Sequence, residues 1–158
     1  MDLKELHLED VSEIWNINEQ GLPGTGKVSH EEIEDLLSLS EIAIGAFEDG
    51  ILSGFVICLL PRTRYGSLNY AWFNQRYDNF IYVDRIAVAA NRRGHKIGSR
   101  IYQEVVSYAE QHKCPIAAEV SLEPPNPGSM RFHYEHGFHE VGVLKHESKS
   151  VTMMLRKL

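Results

Sequence analysis

Cysteine is scarce: Cys58 and Cys114 are the only two in 158 residues. Two thiols cannot build the disulfide framework on which short secreted domains rely, so a reduced, cytoplasmic setting is expected. Long hydrophobic runs are missing as well. The longest, Phe55–Leu60, has the length of a strand, whereas a membrane span needs about 20 residues. The N-terminal stretch MDLKELHLED has neither the basic nor the apolar region of a secretion signal. Positive charge is in deficit, with 16 Lys and Arg against 22 Asp and Glu and a formal net charge of -6. Nucleic-acid binding rests on basic patches for phosphates, so no nucleic-acid partner is expected, and no membrane partner either. Repeats, low-complexity stretches and linker-like composition are absent. What is present is ordinary: 43% hydrophobic and 24% charged residues, the balance of a globular chain rather than a disordered or fibrous one. The length suits one domain spanning residues 1–158, with roughly two-thirds of its unfolded surface buried.

Apolar spacing divides the chain into elements. Leu3–Leu6 reads as a short strand. Val11, Ile14, Trp15 and Ile17 form a helical stripe behind Asp10, a candidate N-cap. After a glycine-rich loop at Gly21–Lys27, Ser29 and Glu32 have the spacing of a capping box that opens a helix through Glu31–Leu37. The period then changes. Glu41–Phe47 and Ile51–Leu60 read as strands joined by Glu48-Asp49-Gly50, a hairpin signal. Residues 61–78 read as a long polar and aromatic connection. Phe80–Ala89 is a strand, Ile97–His112 a helix, and Pro115–Leu122 a strand. Pro124-Pro125-Asn126-Pro127 breaks the chain before a short helix at Ser129–His136, and Phe138–Lys145 and Ser150–Leu155 end it as strands. The order predicts an α/β (α+β) fold: a mixed central sheet of about six to seven strands flanked by about four helices.

The segment VDRIAVAANRRGHKIGSRIY, Val83–Tyr102, carries the sharpest local signal. An apolar strand runs through a turn rich in Arg and Gly directly into a helix. A helix N-terminus offers unpaired N–H groups and partial positive charge, and glycine lets a phosphate come close to them. Arg92, Arg93, Lys96 and Arg100 cluster here in an otherwise acidic chain. The pattern suits a pyrophosphate cradle; the alternative is a basic turn that only caps a helix.

These residues resemble the pyrophosphate loop Q/R-x-x-G-x-G/A of the GNAT acyl-CoA N-acyltransferases. Arg93 fills the first position and Gly98 the last, while Lys96 stands where the family has its first glycine. Either the turn at Lys96 needs no positive φ, or its amides are arranged differently. Ile86-Ala87-Val88 is similar to the I-A-V that precedes the family's loop. Glu119-Val120, Asn126, Ser129, Phe132 and Gly137-Phe138 resemble its E-V…N-x-x-S-x-x-F-x-x-x-x-G-F ending, with a two-residue Pro insertion. The element order agrees over about residues 3–155, and the specific matches lie between Val83 and Phe138. A subgroup of uncharacterised acetyltransferases of the family shares Y-V-D-R, P-P-N-P and F-H.

The resemblance implies a single GNAT-like domain that moves an acetyl group from acetyl-CoA, used without a metal, to a small-molecule or peptide amine by direct attack. The implied cofactor contacts are Ile86, Ala87, Val88, Arg93, Gly94, His95, Lys96, Ile97, Gly98, Ser99 and Asn126, with the pantetheine arm lying like an extra strand in a gap between the strands of Val88 and Glu119. Acyl transfer needs a base for the amine, donors for the thioester oxygen and a proton for the departing thiolate. Glu119 matches the family's base. His133 occupies the position of its Tyr acid, with Tyr134 next along, and both remain candidates because neighbouring helical residues point about 100° apart. A homodimer through the final strands is a further implication. The rival class is a CoA-binding regulatory module without turnover, which Lys96 and His133 leave open.

Several features have competing readings. Strict alternation puts Asp84 on one face with Tyr82 and Ile86, as a second base or, preferably, as the structural partner of an Arg. Residues 61–78, with Tyr65, Tyr70, Trp72, Phe73 and Tyr77, either wall an acceptor pocket or cover the sheet or a dimer contact. Gly21–Lys27 fits G-x-x-x-x-G-K, but Val28 follows where Ser or Thr would bind Mg²⁺, so a nucleotidase is rejected. His133, His136 and His139 lack zinc-site spacing.

Overall fold

Every segment whose side chains alternate or run apolar in the sequence becomes a strand in the computed structural model, which describes residues 1–158. β1 (Asp2–Glu5), β2 (Ile42–Glu48), β3 (Ile51–Leu59), β4 (Ile81–Val88), β5 (Ile116–Glu123), β6 (His139–Lys145) and β7 (Ser150–Arg156) form one sheet in the order β1-β2-β3-β4-β5-β7-β6. Only β4 and β5 are parallel; the other neighbours are antiparallel. Helices cover both faces: α1 (Val11–Gln20), α2 (His30–Leu39), α3 (Leu68–Arg76), α4 (Ile97–His112) and α5 (Pro127–Glu135). The Ser29–Glu32 capping box is complete, with Ser29 Oγ accepting from the Glu32 N–H at 3.1 Å and the Glu32 carboxylate accepting from the Ser29 N–H at 3.0 Å. Asp10 occupies the N-cap of α1, but its carboxylate instead accepts from the His7 N–H at 2.8 Å.

Five helices rather than about four are present, because α3 lies inside the segment expected to be a plain connection. Its sequence, LNYAWFNQR, carries apolar residues around most of its circumference, so no clean stripe marks it. Ser67 caps it, accepting from the Tyr70 N–H at 3.3 Å, and Tyr70 and Phe73 bury one face. Trp72 presses on β6, where a methyl group added to Gly142 would lie 2.6 Å from the indole. The cover over the sheet is therefore one of this segment's roles.

The sheet separates two cores. Phe55, Ile57, Leu59, Phe80, Tyr82 and Met153 face α1, α2 and α3. Val56, Cys58, Ile81, Val83, Ala118 and Met154 face α4. Burial on both faces is why β3 reads as a continuous apolar run.

Two irregularities in β4 shape the molecule. First, β4 and β5 pair only at Ile81↔Ile116 and Tyr82↔Ala117, and then part. Second, β3 opposes β4 as Ile57↔Arg85 and Cys58↔Val83, so Asp84 is an extra, bulged residue. The bulge shifts the alternation by one. Tyr82, Arg85 and Ala87 face α1, whereas Val83, Ile86 and Val88 face α4. Asp84 therefore does not share a face with Ile86, as strict alternation would have it. Instead its carboxylate meets the Arg85 guanidinium at 2.6 Å, with side-chain exposures of 3% and 6%. Arg85 also donates to Asn18 Oδ1 of α1 and to the Gly26 carbonyl, at 3.2 and 3.0 Å. Removing one member of a buried pair strands the other charge. Asp84→Ala should lower the unfolding free energy by about 3 kcal/mol or more in urea titrations, and Asp84→Ala with Arg85→Met should recover most of it. A single-variant loss below about 1 kcal/mol would show that the pair is not a structural anchor.

Candidate active site

β4 feeds a turn whose backbone, not its side chains, makes the first feature of the site. After the short 3₁₀ turn Ala90–Arg92, Gly94 has φ 84° and Lys96 has φ 61°, and α4 starts at Ile97 with no side-chain cap on its first turn. Two left-handed residues thus flank His95 just ahead of the N-terminal end of α4, whose free N–H groups and partial positive charge favour an anion. Lys96 keeps the left-handed backbone that a glycine would favour, so of the two alternatives the first, a turn without positive φ, does not hold. The cost of such a conformation in a residue with a Cβ is about 1–2 kcal/mol.

A groove of about 820 Å³ opens at this turn, between β4 and α5. Ile86, Ala87, Val88, Arg93, Gly94, Lys96, Ile97, Gly98, Ser99 and Asn126 all line it; His95 does not. Arg92, Arg131 and Phe132 extend it. The sequence reading placed Arg92 in the basic cluster but did not single out Arg131, which stands on α5 away from that cluster. Arg92 is ion-paired with Glu48, and Arg93 donates to the Gln20 carbonyl at 3.1 Å. Asn126 caps α5, its Oδ1 accepting from the Ser129 N–H at 3.2 Å.

A second, smaller chamber of about 230 Å³ lies on the other side of the parted strands. Pro23–Gly26 roof it, Tyr65, Ser67 and Asn69 wall it, and Asp84, Arg85, Glu119 and Lys149 bring charge to it. The segment 61–78 therefore both walls this chamber and covers the sheet. Ile86, Ser129 and His133 border chamber and groove alike, so the two meet where β4 and β5 separate. The G-x-x-x-x-G-K loop is thus a roof between α1 and α2, not a strand-to-helix phosphate loop.

Glu119, on β5, is held across the gap by β4. The Tyr82 hydroxyl lies 2.8 and 2.9 Å from its two carboxylate oxygens, and Asn69 Nδ2 donates to Oε1 at 3.0 Å. Burial, reinforced by the negative charge of Asp84, pushes its carboxyl up to about 7, against the pull of the two hydrogen bonds. Sequence reasoning missed Tyr82 and Asn69, whose contacts cross 37 and 50 residues of chain.

His133 is buried, with Nδ1 2.7 Å from the Ser129 carbonyl, so Nδ1 carries the proton of the neutral ring and Nε2 does not. Burial lowers its pKa below the ordinary histidine value. Its ring packs edge-on against Tyr102 and Phe138. Tyr134 is 48% exposed, lines neither cavity, and donates to Glu140 at 2.8 Å. The fold brings Glu119 and His133 together and leaves Tyr134 outside. No three His, Cys, Asp or Glu side chains converge as a metal site.

The sequence model of the acetyltransferase (GNAT) family matches residues 2–138. The chain belongs to the GNAT family of acetyltransferases. No curated protein matches it by sequence. Among solved structures it resembles a ribosomal-protein-alanine N-acetyltransferase from Brucella melitensis, at 18% identity and TM-score 0.77, covering 100% of both chains. Arabidopsis thaliana Naa50, solved with the bisubstrate analogue CoA-Ac-MVNAL, is 17% identical with TM-score 0.77, over 99% of this chain and 98% of that one. Chaetomium thermophilum Naa20, also solved with a bisubstrate analogue, is 15% identical with TM-score 0.80, over 100% of this chain and 87% of that one. At these identities the likeness concerns the fold. No helix of this acetyltransferase is long and apolar enough to cross a membrane.

The groove suits the co-substrate of such an enzyme. The facing edge of β4 beyond Tyr82 has no strand partner, and the turn before α4 offers uncapped amides. Gly98 sits where the two meet: a Cβ there would lie 3.4 Å from the Phe132 ring and 3.8 Å from Val88. The methyls of Gly98→Val must displace Phe132 or fill the groove. Calorimetry should record at least about a tenfold loss of CoA affinity in a variant that still melts cooperatively. Unchanged affinity would count decisively against this groove as the CoA site.

Proposed function

We propose that this acetyltransferase moves the acetyl group of acetyl-CoA to an amine seated in the small chamber, by direct attack within a ternary complex. The observation that carries this reading is Glu119, a buried carboxylate that lines the chamber under hydrogen bonds from Tyr82 and Asn69, its pKa pushed up to about 7, in the space that meets the groove at Ile86, Ser129 and His133. Acetyl-CoA supplies an activated thioester carbonyl. The amides of Gly94–Ser99 would hold its pyrophosphate, with Arg93 and Lys96 adding charge, and the free edge at Ile86–Val88 would bind the pantetheine arm beside Asn126.

An alkyl amine arrives as a cation, since its pKa lies near about 10. Asp84 is already paired with Arg85, so Glu119 is the carboxylate left to meet the amine, and in its ionised form it accepts the proton, directly or through water. On the sulfur side we assign His133 rather than Tyr134. As the N–C bond forms, its unprotonated Nε2 takes the proton that the attacking nitrogen sheds, and as the C–S bond breaks it passes that proton to the departing thiolate; the lowered pKa makes the protonated ring a ready donor. Cys58 and Cys114 are buried, and burial raises both thiols, so neither supplies an acyl-enzyme nucleophile. Two free thiols and acetyl-CoA dependence both suit a reducing cytoplasm. A chamber of about 230 Å³ admits a small amine or the first residue of a peptide rather than a folded surface.

A panel of amines, scored by thiol release, tests the reading. Glu119→Gln should lose roughly 10²–10⁴-fold in turnover with CoA affinity nearly intact. Because Glu119 acts ionised, wild-type kcat/KM should rise with pH through about 7. Near-wild-type activity in Glu119→Gln would sink the base assignment, and CoA binding with no thiol release from any amine would favour a regulatory module. His133→Ala should lower turnover while Tyr134→Phe leaves it within about twofold; the opposite pattern would transfer the acid role to tyrosine.

A further inference from the structure

The carboxylate of Glu119 is oriented from the far edge of the sheet. Asn69 Nδ2 donates to Glu119 Oε1 at 3.0 Å, while Asn69 Oδ1 lies 2.9 Å from Nε2 of His146, in the turn between β6 and β7. An amide oxygen only accepts, so His146 Nε2 carries a proton. That fixes which way the amide faces. A flipped Asn69 would set its carbonyl against the carboxylate and its NH₂ against another N–H. Tyr82 has a single hydroxyl proton to share between the two carboxylate oxygens. With Asn69 committed to Oε1, Oε2 is the oxygen left with room for an incoming proton.

We propose that Asn69 and His146 are positioning residues for Glu119, making α3 and the β6–β7 turn part of the catalytic apparatus. The proposal rests on Glu119 acting as the base. His146 touches no substrate in this scheme; it holds the amide that holds the carboxylate.

The ionised form of Glu119 is stabilised by Asn69, Tyr82 and Arg85 and opposed by Asp84. Tyr65 from the connection before α3, Tyr102 from α4, His133 from α5 and Lys149 from the β6–β7 turn complete the titratable groups around it. Removing the Asn69 donor while those stay in place raises the proton affinity of Glu119 further.

The test is the pH dependence of kcat/KM in the full-length protein, with saturating acetyl-CoA and one accepted amine, together with a carbon-13 NMR titration of the Glu119 carboxyl. In Asn69→Ala the acid limb and the NMR titration should both move up by about one pH unit, a loss of about tenfold below the limb. His146→Ala should move both in the same direction by less. His146→Gln, whose side-chain amide can replace the donor, should return them to the wild-type position. CoA affinity and melting temperature should not change in the His146 variants. Identical Glu119 titrations in wild type and Asn69→Ala would overturn the proposal. So would equal shifts in His146→Ala and His146→Gln, because the donor would then be irrelevant. Should Asn69→Ala not fold, the His146 pair decides alone, being confined to a partly exposed turn. An NMR shift as expected alongside a fully active Glu119→Gln would overturn the base assignment and leave the positioning intact.

Discussion

Two parallel strands that hydrogen-bond at one end and part at the other leave donors and acceptors on both facing edges without partners. That is the state of β4 and β5 beyond Tyr82 and Ala117. A bare edge inside a sheet is costly unless something occupies it, because buried peptide groups need hydrogen-bond partners. The fold meets this in two ways. Across the start of the gap, Tyr82 reaches from β4 to Glu119 on β5, replacing the lost backbone ladder with a side-chain bond. Farther along, α5 brings Ser129, Phe132 and His133 to the opening and leaves a groove against β4. The separation that weakens the sheet thus creates both the groove and its passage into the chamber.

The charge economy of the chamber follows from the same geometry. Asp84 lies close enough for its negative charge to oppose ionisation of Glu119, yet only Asp84 has a dedicated cation. The bulge at Asp84 turns Arg85 toward the same side, and their 2.6 Å pair leaves Glu119 with neutral donors alone. Neutral hydrogen bonds stabilise a carboxylate less than a paired guanidinium does. Glu119 therefore keeps an affinity for protons that a fully paired carboxylate would lose, which is what a base working near neutral pH requires. One bulge decides which of two carboxylates is paired with a cation and which is left with neutral donors.

What could be read in the sequence was local. Seven strands and four helices follow from spacing, since each is set by neighbours within a few residues. The cradle at Arg93–Gly98 was legible because Arg, Gly and a helix start stand side by side. α3 was obscured because its aromatics pack around most of a nine-residue helix and erase the period. The bulge at Asp84 was invisible, for an inserted residue leaves composition and hydrophobicity unchanged while reversing every face after it. Lys96 misled because its conformation is imposed by the turn around it and not by its own preference. Asn69, Tyr82 and His146 carried no signal, as their meaning depends on contacts that span 37 to 77 residues of chain.

The two halves of the site are accordingly built from different materials. The groove is made of backbone: a free strand edge, two left-handed residues and a helix terminus, with side chains adding charge at the margin. Lys96 holds the left-handed conformation of that backbone with a side chain in place. The chamber is made of side chains and loops anchored by buried bonds. Arg85 grips the Gly26 carbonyl of the roof, Asn18 donates to that carbonyl at 3.0 Å, and Asn69 joins α3 to β5. A co-substrate shared across a family needs only the first kind of surface. An acceptor peculiar to one enzyme calls for the second, so under the proposed reaction the roof at Pro23–Gly26, the wall at Tyr65–Asn69 and the turn at His146–Lys149 are where this chain's own specificity would reside.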